Sequence, residues 1–218
     1  MRRPCNVGDD ARCQEGSLSM SIVSLVSGGL DSTLVGAMIR EQGIDNYPLF
    51  IDYGQRSTVK EWITCQAVHD QLKLPKPVRM DLSGFGIVIR SGLTSEGLHI
   101  KDDAFTPTRN LLFLVAGAAY AFQVGANAVS IGILSEEFSL FPDQTQAFIE
   151  RAEDAIHAAL GRHIKVSAPL SAFSKADVVE LARRKGISGS YSCHQGSLVP
   201  CGICISCLEF GGLLTKGN

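Results

Sequence analysis

Short apolar runs alternate along the chain with longer stretches whose apolar positions recur every three or four residues. Ser21-Ile-Val-Ser-Leu-Val26 has strand length and ends at Ser27-Gly28-Gly29, after which Leu34, Val35, Met38 and Ile39 mark a helix over 32–42 that Gly43 stops. The same reading predicts a strand over 47–51, a helix over 57–72 closed by Leu74-Pro75, and a strand over 78–81. Residues 82–108 are rich in Gly and Ser and have no period, as in a long functional or mobile loop. The stretch 110–123 is apolar nearly all round and predicts a buried helix. A fourth strand is expected over 128–133, and an amphipathic helix from Pro142-Asp143 to Leu160, ended by Gly161. A fifth strand follows at 164–167, and Ser174-Lys-Ala-Asp177 opens a capped helix that ends near Lys185.

This alternation predicts an α/β fold: a Rossmann-like parallel sheet with helices on both faces. The expected organisation is a flexible extension over 1–19, an α/β domain over 20–187, a small four-cysteine zinc segment over 188–212 packed on it, and a tail over 213–218.

Length and composition narrow the picture. A chain of 218 residues buries a full core without disulfide staples. Its net charge of −2 and pI of about 6.2 show no basic excess, so a small-molecule acceptor is expected rather than a nucleic acid. The stretch from Met1 to Ser19 carries scattered charges and no apolar run, so it does not read as a signal peptide. No run is long and apolar enough to span a membrane, and a cytoplasmic enzyme is expected.

The turn after the first strand carries the first chemical signal. Ser27-Gly28-Gly29-Leu30-Asp31-Ser32-Thr33 joins a strand to a helix, with Val26 leading into it. Two glycines let backbone N–H groups approach an anion, and the helix N-terminus adds its positive end. The hydroxyls of Ser27, Ser32 and Thr33 can donate to phosphate oxygens. Asp31 is repelled by phosphate and is read as holding the turn or helping to hold Mg2+. The Gly-Lys-Ser/Thr ending of a Walker loop and the spacing of a dinucleotide fingerprint are both missing. The plainer alternative is an ordinary glycine-rich strand–helix turn.

Seven cysteines are present, and Cys193, Cys201, Cys204 and Cys207 crowd one short segment. Two-residue gaps let neighbouring thiolates reach one ion, so a closed, structural Zn2+ site is expected. Reduced buried cysteines and a redox-active pair are the competing readings. His194 is read as a solvated or hydrogen-bonded neighbour rather than a ligand.

The turn at 27–32 resembles the signature of pyrophosphate-loop ATPases, which split ATP to AMP and pyrophosphate. Phe-Ile-Asp-Tyr-Gly-Gln-Arg at 50–56, Phe-Thr-Pro-Thr-Arg-Asn at 105–110, Phe-Ser-Leu-Phe-Pro-Asp at 138–143, Pro-Leu at 169–170, Ser-Lys-Ala-Asp at 174–177 and the four cysteines extend the likeness. Together they resemble the 7-cyano-7-deazaguanine synthase family over 22–208. That resemblance implies ATP, Mg2+ and Zn2+ as cofactors and a deazapurine carboxylate and ammonia as substrates. It also implies adenylated intermediates, a nitrile product on the queuosine path, and a homodimer. Arg109 is the candidate to neutralise an acceptor carboxylate or α-phosphate, and Lys175 the candidate second cation facing the phosphates. Asp52, Tyr53, Gln55 and Arg56, just past the second strand, are expected near the nucleotide. Asn110, Glu137, Phe141 and Asp143 are expected at the acceptor pocket.

The chain departs from the family pattern where Leu140, Phe141 and Thr145 replace Gly, Tyr and Arg, and where Thr108 replaces Gly. Two further readings therefore stay open. One is a divergent enzyme that adenylates another carboxylate, a protein or tRNA, as in bacterial defence. The other is a nucleotide-binding zinc module without turnover.

Overall fold

The structure is a computed structural model, and it describes residues 20–214. The extension expected over 1–19 and the last four residues of the chain lie outside the described residues. Six strands form one parallel sheet: β1 (Ser21–Val26), β2 (Asp45–Asn46), β3 (Leu49–Asp52), β4 (Val78–Asp81), β5 (Ala128–Ser130) and β6 (Lys165–Ser167). Their order is β4-β3-β1-β5-β6, with β2 paired to β1 on the same edge as β3. The single strand expected over 47–51 is thus split in two. Pro48 has no N–H to give the ladder, while the Tyr47 N–H still reaches the Ile22 carbonyl at 2.8 Å.

Alternation along β1 sorts the helices to two faces. Val23 and Leu25 pack with Leu114 of α4 (Arg109–Val124) and Ile149 and Ile156 of α5 (Gln146–Leu160). Ile22 packs with Leu34 of α1 (Leu30–Glu41) and Val178 of α6 (Lys175–Arg184), and Val26 with Cys65 and Trp62 of α2 (Thr58–Gln71). Both faces of the sheet are therefore covered, which is why its strands read as nearly continuous apolar runs.

Several expectations are corrected. α1 begins at Leu30 rather than at residue 32, so Asp31, Ser32 and Thr33 lie in its first turn. The helix expected from Pro142 is a single 3-10 turn (Pro142–Gln144), a break, and then α5 capped by Thr145, whose hydroxyl accepts the Phe148 N–H at 3.2 Å. The break follows from Asp143, which is drawn to the start of α4. α4 is not buried all round: Gly117, Ala118 and Ala121 press on the sheet while Val115 and Phe122 face solvent. Within 82–108 a short helix, α3 (Gly84–Val88), was not expected, nor was α7 (Ile205–Leu214) at the end of the cysteine segment. The rest of the long loop is pinned by hydrogen bonds such as Ser91–Thr106 between hydroxyls at 2.7 Å and Arg56 N–H to Leu93 O at 2.8 Å.

Candidate active site

β1 has neighbours reached by crossovers on opposite sides, α1 leading to β3 and α4 to β5. Ligands in such sheets gather beyond the carboxyl ends of the strands at this switch. A cleft of about 800 Å3 opens there, lined by the turn after β1, by Tyr53 and Gln55 after β3, by the start of α4, and by the cysteine segment.

The turn is closed by its own serines. The Ser27 and Ser32 hydroxyls lie 3.2 Å apart, the Gly29 N–H donates to Ser27 Oγ, and the Ser32 hydroxyl also reaches the Gly29 carbonyl. Gly29 caps α1 without a side-chain acceptor, so the first-turn N–H groups of Leu30, Asp31 and Ser32 have no intrahelical acceptor. Gly28 has φ +78°, and a Cβ there would lie 2.7 Å from the Cys65 backbone nitrogen. Close packing of the turn on α2 therefore needs glycine. Asp31 does not accept from the turn: both its oxygens meet Lys175 Nζ, at 2.9 and 2.8 Å. Lys175 also lies 3.7 Å from Glu209 of α7, whose carboxyl is pushed up by burial against the pull of that ammonium.

Across the cleft, Arg109 opens α4. Its guanidinium lies about 6.0 Å over the rings of both Tyr53 and Phe113, its Nε is buried without a hydrogen-bond partner, and none of the ion pairs among the described residues includes it. A half-buried cation that Tyr53 touches but that no carboxylate holds in an ion pair among the described residues can meet an anion. The residue before it, Thr108, sits at φ +60°, a strained conformation for a β-branched residue. Beneath the turn lies Glu61, which accepts from Ser57 Oγ at 2.7 Å and Gln55 Nε2 at 3.0 Å. Burial raises its pKa, with those donors and Arg109 opposing.

The cysteine segment forms the third wall. The four sulfurs of Cys193, Cys201, Cys204 and Cys207 lie within 4.8 Å of one another, with Cys201 and Cys207 at 3.9 Å. Tetrahedral zinc with Zn–S bonds of about 2.3 Å needs sulfurs about 3.8 Å apart, so this group can hold such an ion. Burial alone would raise the Cys193 thiol, but N–H groups of Cys201 and Gln195 aimed at its sulfur bring it down to about 6. Burial drives Cys207 up to about 12. His194 lines the cleft and is not within the sulfur group. Burial, with Arg109 and Lys175 adding to it, holds its ring down to about 4, so it is neutral.

Of the residues singled out in the sequence, Val26, Ser27, Gly29, Leu30, Asp31, Ser32, Tyr53, Gln55, Arg109, Asn110, Glu137, Phe141 and Lys175 line the cleft. Gly28 and Thr33 stand behind the turn. Asp52 is held by Arg79 at 2.6 Å and by the Gly54 N–H and Thr58 hydroxyl. Arg56 reaches the Gly92 carbonyl instead of the cleft. Asp143 accepts the Asn110 N–H and, through its carbonyl, the Asn110 amide, so it fastens the 137–145 loop to α4 rather than facing the cleft. Glu61, Phe113, Tyr191 and Glu209 line the cleft without having been singled out. A lone Glu in a helix reads as a solvated face, and nothing in the local pattern marks these four.

Residues 21–210 match the family model described as queuosine biosynthesis protein QueC. A 7-cyano-7-deazaguanine synthase from Campylobacter curvus is 32% identical over 197 residues, covering 85% of this chain and 88% of that protein. The synthases of Campylobacter hominis and of a Sulfurovum species are each 31% identical, covering 86% and 85% of this chain and 91% and 89% of theirs. A solved structure, a predicted subunit of tRNA methyltransferase from Methanocaldococcus jannaschii, aligns with a TM-score of 0.47 at 14% identity over 75% of this chain and 74% of its own, too distant a likeness to inform function. Matched over 21–210 and 32% identical to a 7-cyano-7-deazaguanine synthase, the chain belongs to the QueC family of queuosine-biosynthesis proteins.

Proposed function

We propose that the cleft binds ATP with its phosphates at the 27–32 turn and uses it to convert 7-carboxy-7-deazaguanine and ammonia to 7-cyano-7-deazaguanine. A carboxylate oxygen attacks the α-phosphorus, forming an acyl adenylate and releasing pyrophosphate. Ammonia adds to the acyl carbon, AMP leaves with the original carboxylate oxygen, and a proton is lost to give the amide. A second ATP adenylates the amide oxygen with release of pyrophosphate, and loss of AMP and of both amide protons leaves the nitrile. AMP is a far better leaving group than hydroxide or oxide.

The observation that carries this reading is Arg109, a cation on its aromatic shelf opposite the turn and in no ion pair among the described residues. It supports binding of an anion there, either the acceptor carboxylate or the α-phosphate whose charge builds in the transition state. Lys175 supplies a second cation, anchored by Asp31. Because Asp31 has both oxygens on Lys175, Mg2+ fits best as an ion carried by the phosphates. The four cysteines would hold Zn2+ in a closed, structural site. Val59 and Ile63, one turn apart on α2, are exposed and support pairing of two copies, which light scattering would read.

The test is mass spectrometry of products after incubation with ATP, Mg2+, ammonium and 7-carboxy-7-deazaguanine. The nitrile with AMP and pyrophosphate is the expected outcome. An accumulated amide would limit the reaction to its first half, and no product would remove this acceptor.

A second reading, another acceptor for the same adenylation, is favoured by the rim of the cleft. The Phe105 and Phe141 rings meet tilted at 36° with centroids 5.2 Å apart, and Phe138 and Leu140 are exposed. Pyrophosphate release only with a non-purine acceptor would select it.

A further inference from the structure

We infer that the cysteine segment contributes a substrate-binding side chain: His194, fixed through its backbone to the sulfur cluster, donates a hydrogen bond to an oxyanion of the ligand beside Arg109. The inference rests on the proposed reading for the ligand's identity, phosphoryl or carboxylate, but on the cleft's own geometry for the contact.

Three observations carry it. The His194 backbone N–H is directed at the Cys204 sulfur, so the position of the residue is set by the cluster. The four sulfurs complete a tetrahedral set without the imidazole, which leaves the ring free of the metal and on the cleft wall. Finally, Nδ1 is buried with no hydrogen-bond partner, as is Arg109 Nε in the same cleft. A buried N–H without an acceptor is costlier than a bare ring nitrogen, so the ring proton belongs on Nε2, where a ligand can accept it. No hydrogen bond among the described residues uses His194 Nε2, which leaves it for a ligand in the cleft.

The test compares His194→Leu and His194→Gln with the wild-type protein, all with metal bound. Calorimetry with pyrophosphate, a non-hydrolysable ATP analogue and 7-carboxy-7-deazaguanine forms the three binding arms. His194→Leu is expected to weaken at least one arm by about 10- to 100-fold, the scale of a lost hydrogen bond to a charged group, and His194→Gln to recover part of it. The arm that weakens tells phosphate from carboxylate. Zinc content and Tm stay at wild-type values, and the Nε2–H resonance of labelled His194 shifts when that ligand binds.

All three arms unchanged within about twofold in His194→Leu would overturn the inference, as would loss of zinc on substitution, which makes the residue a ligand. Failure of the wild-type protein to bind any of the three would overturn it too. Nucleotide binding that depends on His194 without nitrile formation would keep this inference and remove the proposed acceptor.

Discussion

Replacing Gly28 by alanine perturbs the turn after β1, where the nucleotide phosphates are proposed to sit, at one atom. The residue sits at φ +78°, and the new Cβ would fall 2.7 Å from the Cys65 nitrogen, 2.8 Å from the Glu61 carbonyl oxygen and 3.0 Å from the Cys65 Cα. All three are backbone atoms of α2, so no side chain can swing away. The left-handed conformation costs alanine about 1–2 kcal/mol, and relieving the overlap costs about 1–3 kcal/mol more. In a chain of this length each kcal/mol is worth about 2–4 °C, so Tm should fall by roughly 4–20 °C. The shortest contact is about 0.7 Å below the 3.4 Å at which ordinary contact begins. A displacement of that size at a reacting centre costs up to about 100-fold in rate. It would also pass to the cysteine segment, because the Gly28 carbonyl accepts the Tyr191 N–H at 3.0 Å. The control is Gly125→Ala at the end of α4, where φ is +77° and nothing lies within 4 Å of the new atom. It should show only the conformational cost and leave pyrophosphate release unchanged. The reasoning is refuted if Gly28→Ala loses no more Tm than the control and binds the ATP analogue as the wild type does.

Arg109→Met should lower turnover by about 100- to 1,000-fold with little change in Tm, since the loss of its contacts with Tyr53 and Phe113 is offset by removal of a buried N–H that has no partner; a large fall in Tm with activity kept would contradict this. Thr108→Gly should raise stability by about 1 kcal/mol by relieving the left-handed backbone, read from denaturant midpoints. Cys204→Ser, or a strong chelator, should remove one zinc per chain and lower Tm, whereas Cys65→Ser, remote from the sulfur group, should keep the metal, as elemental analysis will show. His69 is buried, with Nδ1 2.7 Å from the Pro75 carbonyl, and burial lowers its pKa. The unfolded chain therefore takes up a proton below about pH 6.5 that the folded one refuses. Its stabilising contribution is present above that pH and is lost on acidification towards the lowered pKa, at up to about 1.4 kcal/mol per pH unit. Unfolding at stepped pH should show that slope, and His69→Gln should flatten it.

The sheet was legible in the sequence because burial on both faces forces long apolar runs, and only a few residue types satisfy that demand. The tight turn at 27–32 and the clustering of the four cysteines were legible too, since both are built from neighbours in sequence. Strand β2, split from β3 at Pro48, and the exposed outer face of α4 were not. Whether a ladder tolerates a missing N–H, or a helix face meets another element, depends on what packs beside it.

By itself, the sequence determined the order of elements and the local binding parts, because helix period, strand alternation and ligand spacing are properties of adjacent residues. Only the tertiary structure decided which charges meet. It paired Asp31 with Lys175 across 144 positions, sent Asp52 to Arg79 and Asp143 to Asn110, left Arg109 unpaired, and brought Glu61 and His194 to the cleft wall. Coulombic and hydrogen-bond partners act over a few ångströms of space, and separation along the chain does not enter that distance.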